Sequence, residues 1–447
     1  MNGTVELSQM LDARERRGQR QQELLTQYHL PLVSFTMNIA GPVKNSPSIR
    51  RGFRYGRELL LGQLTRVKVP VQFTEEIDED TGCEGFYVVD MEPHALKAIT
   101  CEIEERTELG RLFDLDILTP DGDKLDRSSP RLCLICGKPA KECARSRKHA
   151  VAELQKHTHD LLIRALNTHD EQTAASLAIR ALLYEVCTTP KPGLVDRANN
   201  GSHKDMDIFT FMNSAAALWP YFSQCVQVGH NTAARPAPET FTALRWPGKQ
   251  AESNMLRATH GVNTHKGAIF SLGLACAALG RMEREHWNKP ELILRQISEM
   301  TAGTVQHELA GLTQDTAVTA GQRFYLQYGV TGVRGQAENG FPSVLEYGLP
   351  TLENGLALGK SMDESGASAM LALLAHTTDT NMISRGGIDL QREKMEQLLH
   401  LLDSDPFPDM NTVKVLDQDY IQKNLSPGGS ADLLALCYLL HFLKEAV

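Results

Sequence analysis

Cys143–Leu166 reads "CARSRKHAVAELQKHTHDLLIRAL", and the chain changes character across it. Upstream lie extended-looking runs, "LPLVSFTMNI" (30–39) and "GFYVVDM" (85–91), separated by Gly and Pro breaks and by the acidic loop "EEIDED" (75–80). Downstream the apolar residues recur at helical spacing almost throughout. "AASLAIRALLYEV" (174–186), "DIFTFMNSAAALWPYFSQCV" (207–226), "KGAIFSLGLACAALG" (266–280) and "ADLLALCYLLHFLKEAV" (431–447) are the clearest cases. Gly and Pro are expected between these helices rather than inside them. The spacing predicts an α+β domain over 1–168 followed by an all-α domain over 169–447.

The whole chain is consistent with two domains. Its 447 residues exceed what one hydrophobic core usually serves, and 42% hydrophobic with 23% charged residues is ordinary for a globular protein. The net charge of -9 argues against general nucleic-acid affinity. Most of the acidic excess lies beyond residue 168, so the first part is the better docking surface for something negatively charged. Nine scattered cysteines do not resemble a secreted disulfide framework. The N-terminus has no apolar signal region, and "AIFSLGLACAALG" (268–280) is too short to span a bilayer. A reduced, cytoplasmic protein with no membrane or nucleic-acid partner is expected.

Polar, Gly-rich segments interrupt the expected helices: "TTPKPGLVDRANNGSHKDM" (188–206), "GVNTHKGA" (261–268), "GVRGQAENGFPSV" (332–344) and "TTDTNMISRGG" (377–387), with "LSPGGSADLL" (425–434) completing the set. In "NTHKGA" a polar turn with Asn263 and His265 opens a helix whose free N–H groups favour phosphate, and Lys266 adds a charge. Arg334 and Arg385 each stand beside glycine, where a guanidinium can fork onto phosphate. Asp196, Asp205, Glu338, Asp379 and Asp432 supply hard oxygens of the kind that hold Mg²⁺ on phosphates. Asp432, just before an apolar run, reads more simply as an N-cap.

In the first part, "LGRLFDLDIL" (109–118) read as a strand puts Asp114 and Asp116 on one face. Two adjacent carboxylates repel unless a cation joins them, which suits a metal gripping a pyrophosphate leaving group. An exposed polar edge is the plainer reading. A helix from Pro47 would align Arg50, Arg54 and Arg57, with Lys44 in the preceding turn; the row reads as a site for triphosphate or an acidic protein, or as a solvated face. "RLCLICGKPAKECARSRKH" (131–149) places Cys133, Cys136 and Cys143 ahead of His149, His157 and His159. Structural zinc is the less favoured reading, because the Cys136–Cys143 gap is short for a ribbon and cysteine is often simply buried. Arg145 and Arg147 fit phosphate or an acidic partner better.

Two family resemblances are carried by these motifs. "TPKPGLVD", "GVNTHKGAIFSLG", "GVRGQAENGFPSV" and "SPGGSADLLA" resemble the triphosphoribosyl-dephospho-coenzyme A synthases from about Leu177 onward. The resemblance implies an all-helical enzyme joining ATP to 3′-dephospho-coenzyme A with release of adenine, the ribose 2′-hydroxyl attacking the anomeric carbon of ATP. On that reading Asp205 or His203 serves the attacking hydroxyl. Lys191, Lys266 and Arg334 meet phosphate, and Asp196, Glu338 and Asp379 serve Mg²⁺ or the oxocarbenium-like state. "RERRGQRQQELL", "PLVSFTMNIAGPVKNS", "LGRLFDLDIL" and "CLIC" with "CARSR" resemble the apo-citrate lyase phosphoribosyl-dephospho-coenzyme A transferases over about Leu11–Leu166. That resemblance implies transfer of the prosthetic group to a serine of the apo acyl carrier subunit of citrate lyase, with pyrophosphate leaving in nucleotidyltransferase-like chemistry. Asp114 and Asp116 are then natural Mg²⁺ ligands. The rivals are the equivalent synthesis for malonate decarboxylase and a non-catalytic, zinc-containing carrier-protein adaptor.

Overall fold

The computed structural model describes residues 3–127, 129–309, 311–317 and 319–446. The chain divides into two compact units, 1–169 and 170–447. The division falls inside one long helix, Val151–Cys187.

The first unit is built on a four-stranded sheet of order β2-β3-β1-β4. The strands are β1 (Leu32–Met37), β2 (Val71–Glu79), β3 (Gly82–Val89) and β4 (Phe113–Leu118), all pairs antiparallel. "EEIDED" is therefore not a loop for most of its length: it forms the end of β2, where Glu75 meets Arg20 and Glu76 meets Arg57. Cation partners let an acidic run occupy a strand. Helices α1 (Leu7–Tyr28), α2 (Pro47–Arg66) and α3 (Pro93–Arg106) complete the unit with α4 (Ala140–Ser146) and the first half of α5 (Val151–Cys187). Ser46 caps α2 by accepting from Ile49 N–H at 3.2 Å, with Pro47 at the first helical position.

Strand alternation gives the two sheet faces different chemistry. Val33, Phe35, Tyr87, Leu115 and Ile117 pack into the main core with α2, α3 and α5. On the other face, Leu32, Phe86 and Val88 are covered by Leu24 and Leu25 of α1. Further along that face the apolar residues give way to Thr36, Glu84, Asp114 and Asp116, with Thr36 paired to both Glu84 and Asp114 across the three strands. One helix, α1, thus covers the apolar half with leucines and approaches the polar half with arginines. Edge strand β4 is shielded by Glu104 of α3, which accepts from Leu115 N–H at 2.8 Å.

Among the described residues the second unit has no strand. Its helices run α6 (Ile208–Thr232), α7 (Ala237–Ala258), α8 (Lys266–Arg281), α9 (Pro290–Thr301), α10 (Thr304–Leu309), α11 (Ala320–Tyr328), α12 (Gly332–Glu338), α13 (Leu349–Ala357), α14 (Met362–His376), α15 (Thr380–Ser404), α16 (Met410–Gln422) and α17 (Gly428–Glu445). Helices α8, α14 and α17 are apolar on all sides and form the centre, as such helices must. The expectation that Gly and Pro stay outside helices fails here. Pro220 and Pro247 lie within α6 and α7, and glycines are what let α6 meet α8. A Cβ on Gly229 would stand 2.2 Å from Ala277 O, and one on Gly280 2.1 Å from Val226 O. Two of the expected loops are also helical: Gly332–Glu338 is α12, and most of Thr377–Gly387 opens α15, which kinks at Gly387.

Candidate active sites

The second unit encloses a cavity of about 880 Å³, within the range of small-molecule sites. The first turns of three long helices line it: Lys266 and Gly267 of α8, Thr380 and Asn381 of α15, and Gly428 and Gly429 of α17. Neither α8 nor α17 has a side-chain cap at its N-cap residue. Three helix N-termini direct their positive dipole ends to one space, a setting that favours an anion, although Asn381, Met382 and Ser430 N–H already donate to Asp379 and Ala268 N–H to Asp432.

Lys191, His203, Asp205, Asn263, His265, Lys266, Asp379 and Arg385 all line this cavity, drawn from segments separated by almost 200 residues in the chain. Their surroundings differ. Lys266 is mostly exposed, with Nζ 3.1 Å from Glu252. Arg385 donates to Ser202 O at 2.9 Å and lies 3.4 Å from His203 Nδ1, while His203 Nε2 is 2.8 Å from Ser426 Oγ. Burial and the Arg385 charge lower the His203 pKa, which favours the neutral imidazole. Asp205 stays largely exposed, 3.9 Å from His203.

Five of the expected site residues have other partners or lie elsewhere in the structure. Lys191 is fully buried and paired with Glu185, donating to both its carboxylate and its carbonyl oxygen. Lys191→Met should cost roughly 3–5 kcal/mol of stability, because it strands the Glu185 carboxylate in the interior; chemical denaturation measures it. Asp379 accepts from Asn381, Met382 and Ser430 N–H and from Ser430 Oγ, which occupies both oxygens. It caps α15 and braces α17 while lining the cavity. Asp196 accepts from Lys191, Ala198 and Asn199 N–H and folds the 188–206 loop on itself, away from the cavity. Glu338 accepts from Gly303 and Val305 N–H, also outside it. Arg334, exposed on α12, is likewise not among the lining residues.

Asp432 is the carboxylate that motif reading underrated. It is not an N-cap but lies in the first turns of α17, lining the cavity opposite Gly267. A Cβ on Gly267 would stand 1.8 Å from Asp432 Oδ2, so only glycine admits the carboxylate there. Burial, with Glu185 and Asp379 as neighbouring negative charges, holds the Asp432 pKa well up, against the Ala268 N–H that lowers it.

His265 is buried, with Nδ1 2.7 Å from Ser214 Oγ, which in turn accepts from Thr264 Oγ1 at 2.8 Å. Burial, then the Lys191 charge, pushes its pKa down to about 3. As pH falls below about 6.5 the unfolded chain gains a proton that folded His265 refuses, so this group withdraws up to about 1.4 kcal/mol per pH unit down to its folded pKa. Glu185, Asp379 and Asp432, whose pKa values are raised by burial, act in the opposite sense. His265→Gln should therefore lose less stability than wild type between pH 7 and pH 5, by roughly 2 kcal/mol in paired denaturation curves.

A second, smaller cavity of about 160 Å³ lies on the polar half of the sheet in the first unit. Asp114, Glu84 and Thr36 line it from the strands, Arg14 and Arg17 from α1, and Lys44 from the turn before α2. Burial lowers the Lys44 pKa, followed by the Arg14 charge. Asp114 and Asp116 do share a face, yet only Asp114 lines the cavity; Asp116 pairs with Lys124 at 2.5 Å. Glu84 was missed in the sequence. It is buried and held by Arg17 at 2.6 Å, and β-pairing to Thr36 brings it into the row with Asp114. Arg50 and Arg57 are turned to Asp78 and Glu76 of β2, and Arg54 is exposed; none lines the cavity. Arg145 and Arg147 are exposed at α4.

Comparison with known proteins matches a different family to each part of the chain. The family described as ATP:dephospho-CoA triphosphoribosyl transferase matches residues 171–447, and the family described as apo-citrate lyase phosphoribosyl-dephospho-CoA transferase matches residues 5–165. Protein CitXG of Haemophilus influenzae is 37% identical over 97% of this chain and 95% of its own. Protein CitXG of Leuconostoc mesenteroides subsp. cremoris is 34% identical over 98% and 97%. The 2-(5''-triphosphoribosyl)-3'-dephosphocoenzyme-A synthase of Pectobacterium atrosepticum is 42% identical over 58% of this chain and 86% of its own. The chain belongs to the family in which these two transferases are fused in one polypeptide. No helix among the described residues is long and apolar enough to cross a membrane.

Proposed function

We propose that each cavity carries one of two consecutive steps in the maturation of citrate lyase, with the units at 1–169 and 170–447 dividing the labour. The chain is a bifunctional transferase: a triphosphoribosyl-dephospho-coenzyme A synthase joined to a phosphoribosyl-dephospho-coenzyme A transferase. The observation that carries the residue assignment is the convergence of three helix N-termini, Lys266, Arg385 and the half-buried Asp432 on the larger cavity.

In that cavity the triphosphate of ATP sits against the first turns of α8 and α17, with Lys266 and Arg385 as cations. The 2′-hydroxyl of 3′-dephospho-coenzyme A attacks the anomeric carbon of the ATP ribose, and adenine departs. Asp432 faces the developing oxocarbenium charge, and its raised pKa makes the ionised form a stronger base. His203 and Asp205 at the rim orient the attacking ribose. In the smaller cavity Arg14, Arg17 and Lys44 receive the departing pyrophosphate, while Asp114 and Glu84 face the reacting phosphorus and the carrier serine. Were Mg²⁺ bound, Asp205 with Asp432 would be the carboxylates to hold it in the larger cavity and Asp114 with Glu84 in the smaller, where it would neutralise phosphate charge. The exposed Arg145, Arg147 and Lys148 suit an acidic carrier surface.

The test incubates the protein with ATP, Mg²⁺ and 3′-dephospho-coenzyme A, then adds apo-carrier. Adenine with a triphosphoribosyl adduct, followed by a carrier heavier by the prosthetic group, supports the reading. Failure to release adenine from a folded, metal-replete sample rejects the assignment of the larger cavity. Modification of the malonate decarboxylase carrier in preference to that of citrate lyase favours the alternative pathway.

A further inference from the structure

Residues 131–149 fold without a core of their own. Across these 19 residues only Cys133 and Cys143 are buried, and Leu132 is more than half exposed. Yet the backbone is ordered into a tight turn: Cys133 N–H donates to Lys138 O at 2.6 Å, and Gly137 N–H donates to Cys133 O at 3.1 Å. Gly137 has φ 68°, a left-handed conformation that glycine adopts without cost. Helix α4 then returns Cys143 to the turn, leaving its Sγ 3.4 Å from Cys136 Sγ. The gap that looked short in sequence is closed by this return.

The fourth group is His149. Its side chain is nine-tenths buried, and its Nε2 has no hydrogen-bond partner. On the other side of the ring, Nδ1 stands 3.6 Å from Glu153 Oε2. One ligand atom from each of Cys133, Cys136, Cys143 and His149 falls within 4.8 Å of every other. His157 and His159 lie outside this group. Tetrahedral zinc with S ligands at about 2.3 Å and N at about 2.0–2.1 Å needs ligand separations of roughly 3.4–3.8 Å, so only a small contraction is required. Glu153 is near enough to approach Nδ1 once Nε2 holds a metal, the usual outer-shell arrangement of a zinc-bound histidine. A disulfide would instead bring two sulfurs to about 2.05 Å and leave His149 without a role.

We propose that Cys133, Cys136, Cys143 and His149 hold a structural zinc ion that replaces the missing core of residues 131–149. All four positions come from the protein, so the site is closed and takes no substrate. The ion is positional for the neighbouring cavity. Arg131, at the start of the segment, donates to Glu104 at 2.7 Å and lies 3.3 Å from Asp114, and Arg111 donates to Leu132 O at 3.2 Å. The same fold sets the exposed Arg145, Arg147 and Lys148 in place. Three thiolates and zinc leave one net negative charge, which these cations offset.

Metal content is the test, because it does not depend on activity. The full-length protein, purified without chelator, should contain about one zinc per chain by inductively coupled plasma mass spectrometry. Cys136→Ser and His149→Ala should each drop that content at least tenfold under mild chelation, with limited proteolysis of residues 1–169 confirming that the first unit is still folded. His149→Cys should retain zinc. Substitution of Co²⁺ should give thiolate charge-transfer bands in wild type whose d–d envelope shifts in His149→Cys. Zinc well below stoichiometry in wild type overturns the proposal. So does intact-mass detection of a Cys136–Cys143 disulfide, or zinc content unchanged in both variants.

Discussion

Asp432→Asn should lower adenine release by at least about 100-fold while leaving the protein as stable as wild type or more so. The reasoning joins position to energetics. Asp432 faces the cavity among neighbouring negative charges, and burial raises its pKa, so its ionised form opposes folding. Stability from such a carboxyl is greatest below the unfolded pKa and diminishes as pH rises through the folded one. Asparagine removes the charge, keeps the volume and can still accept from Ala268 N–H. A residue retained for structure would lose stability on this change; one retained for chemistry loses rate and gains Tm. Adenine release by chromatography, beside thermal melts at pH 7, reads both quantities. Loss of stability with unchanged turnover would return Asp432 to a structural role.

Asp114→Asn and Asp116→Asn should separate widely although the two residues are alternate neighbours on one strand face. Asp114 lines the smaller cavity with Glu84 and lies 3.3 Å from Arg131. Asp116 is engaged by Lys124 at the surface, and exposed pairs of that kind are worth little. Transfer to the carrier should fall by at least about 100-fold in Asp114→Asn and by less than about fivefold in Asp116→Asn. Carrier mass against time is the readout. Glu84→Gln should follow Asp114, since the sheet register places both beside Thr36.

The parts of the fold that the sequence made legible are those set by local periodicity. Period two in "FDLDIL" placed Asp114 and Asp116 on one face, and unbroken apolar runs marked α8 and α17 as central helices. Less legible was anything decided by a distant partner. Glu84 looks like one more acidic residue until β1 pairs with both β3 and β4, and "EEIDED" looks like a loop until Arg20 and Arg57 stand over it. The same holds for the larger site. Motifs pointed to His203, Asn263, Lys266 and Arg385, which line one cavity, because chemistry-bearing loops are polar and Gly-rich wherever they lie. They could not tell which carboxylates are taken up by backbone N–H groups. Asp379, Asp196 and Glu338 spend their oxygens on backbone N–H groups, and Asp432, the apparent cap, does not cap α17. Lys191 shows the same limit, since only the fold reveals Glu185 beneath it.

The central claim is that two sites in one chain perform one step each. Its most direct test is a single reaction of the Asp114→Asn protein with ATP, Mg²⁺, 3′-dephospho-coenzyme A and apo-carrier, with adenine and carrier mass followed together. Adenine should appear at the wild-type rate, the triphosphoribosyl adduct should accumulate, and the carrier should keep its apo mass. Loss of adenine release along with carrier modification, or modification at the wild-type rate, would contradict the division of labour between the two cavities.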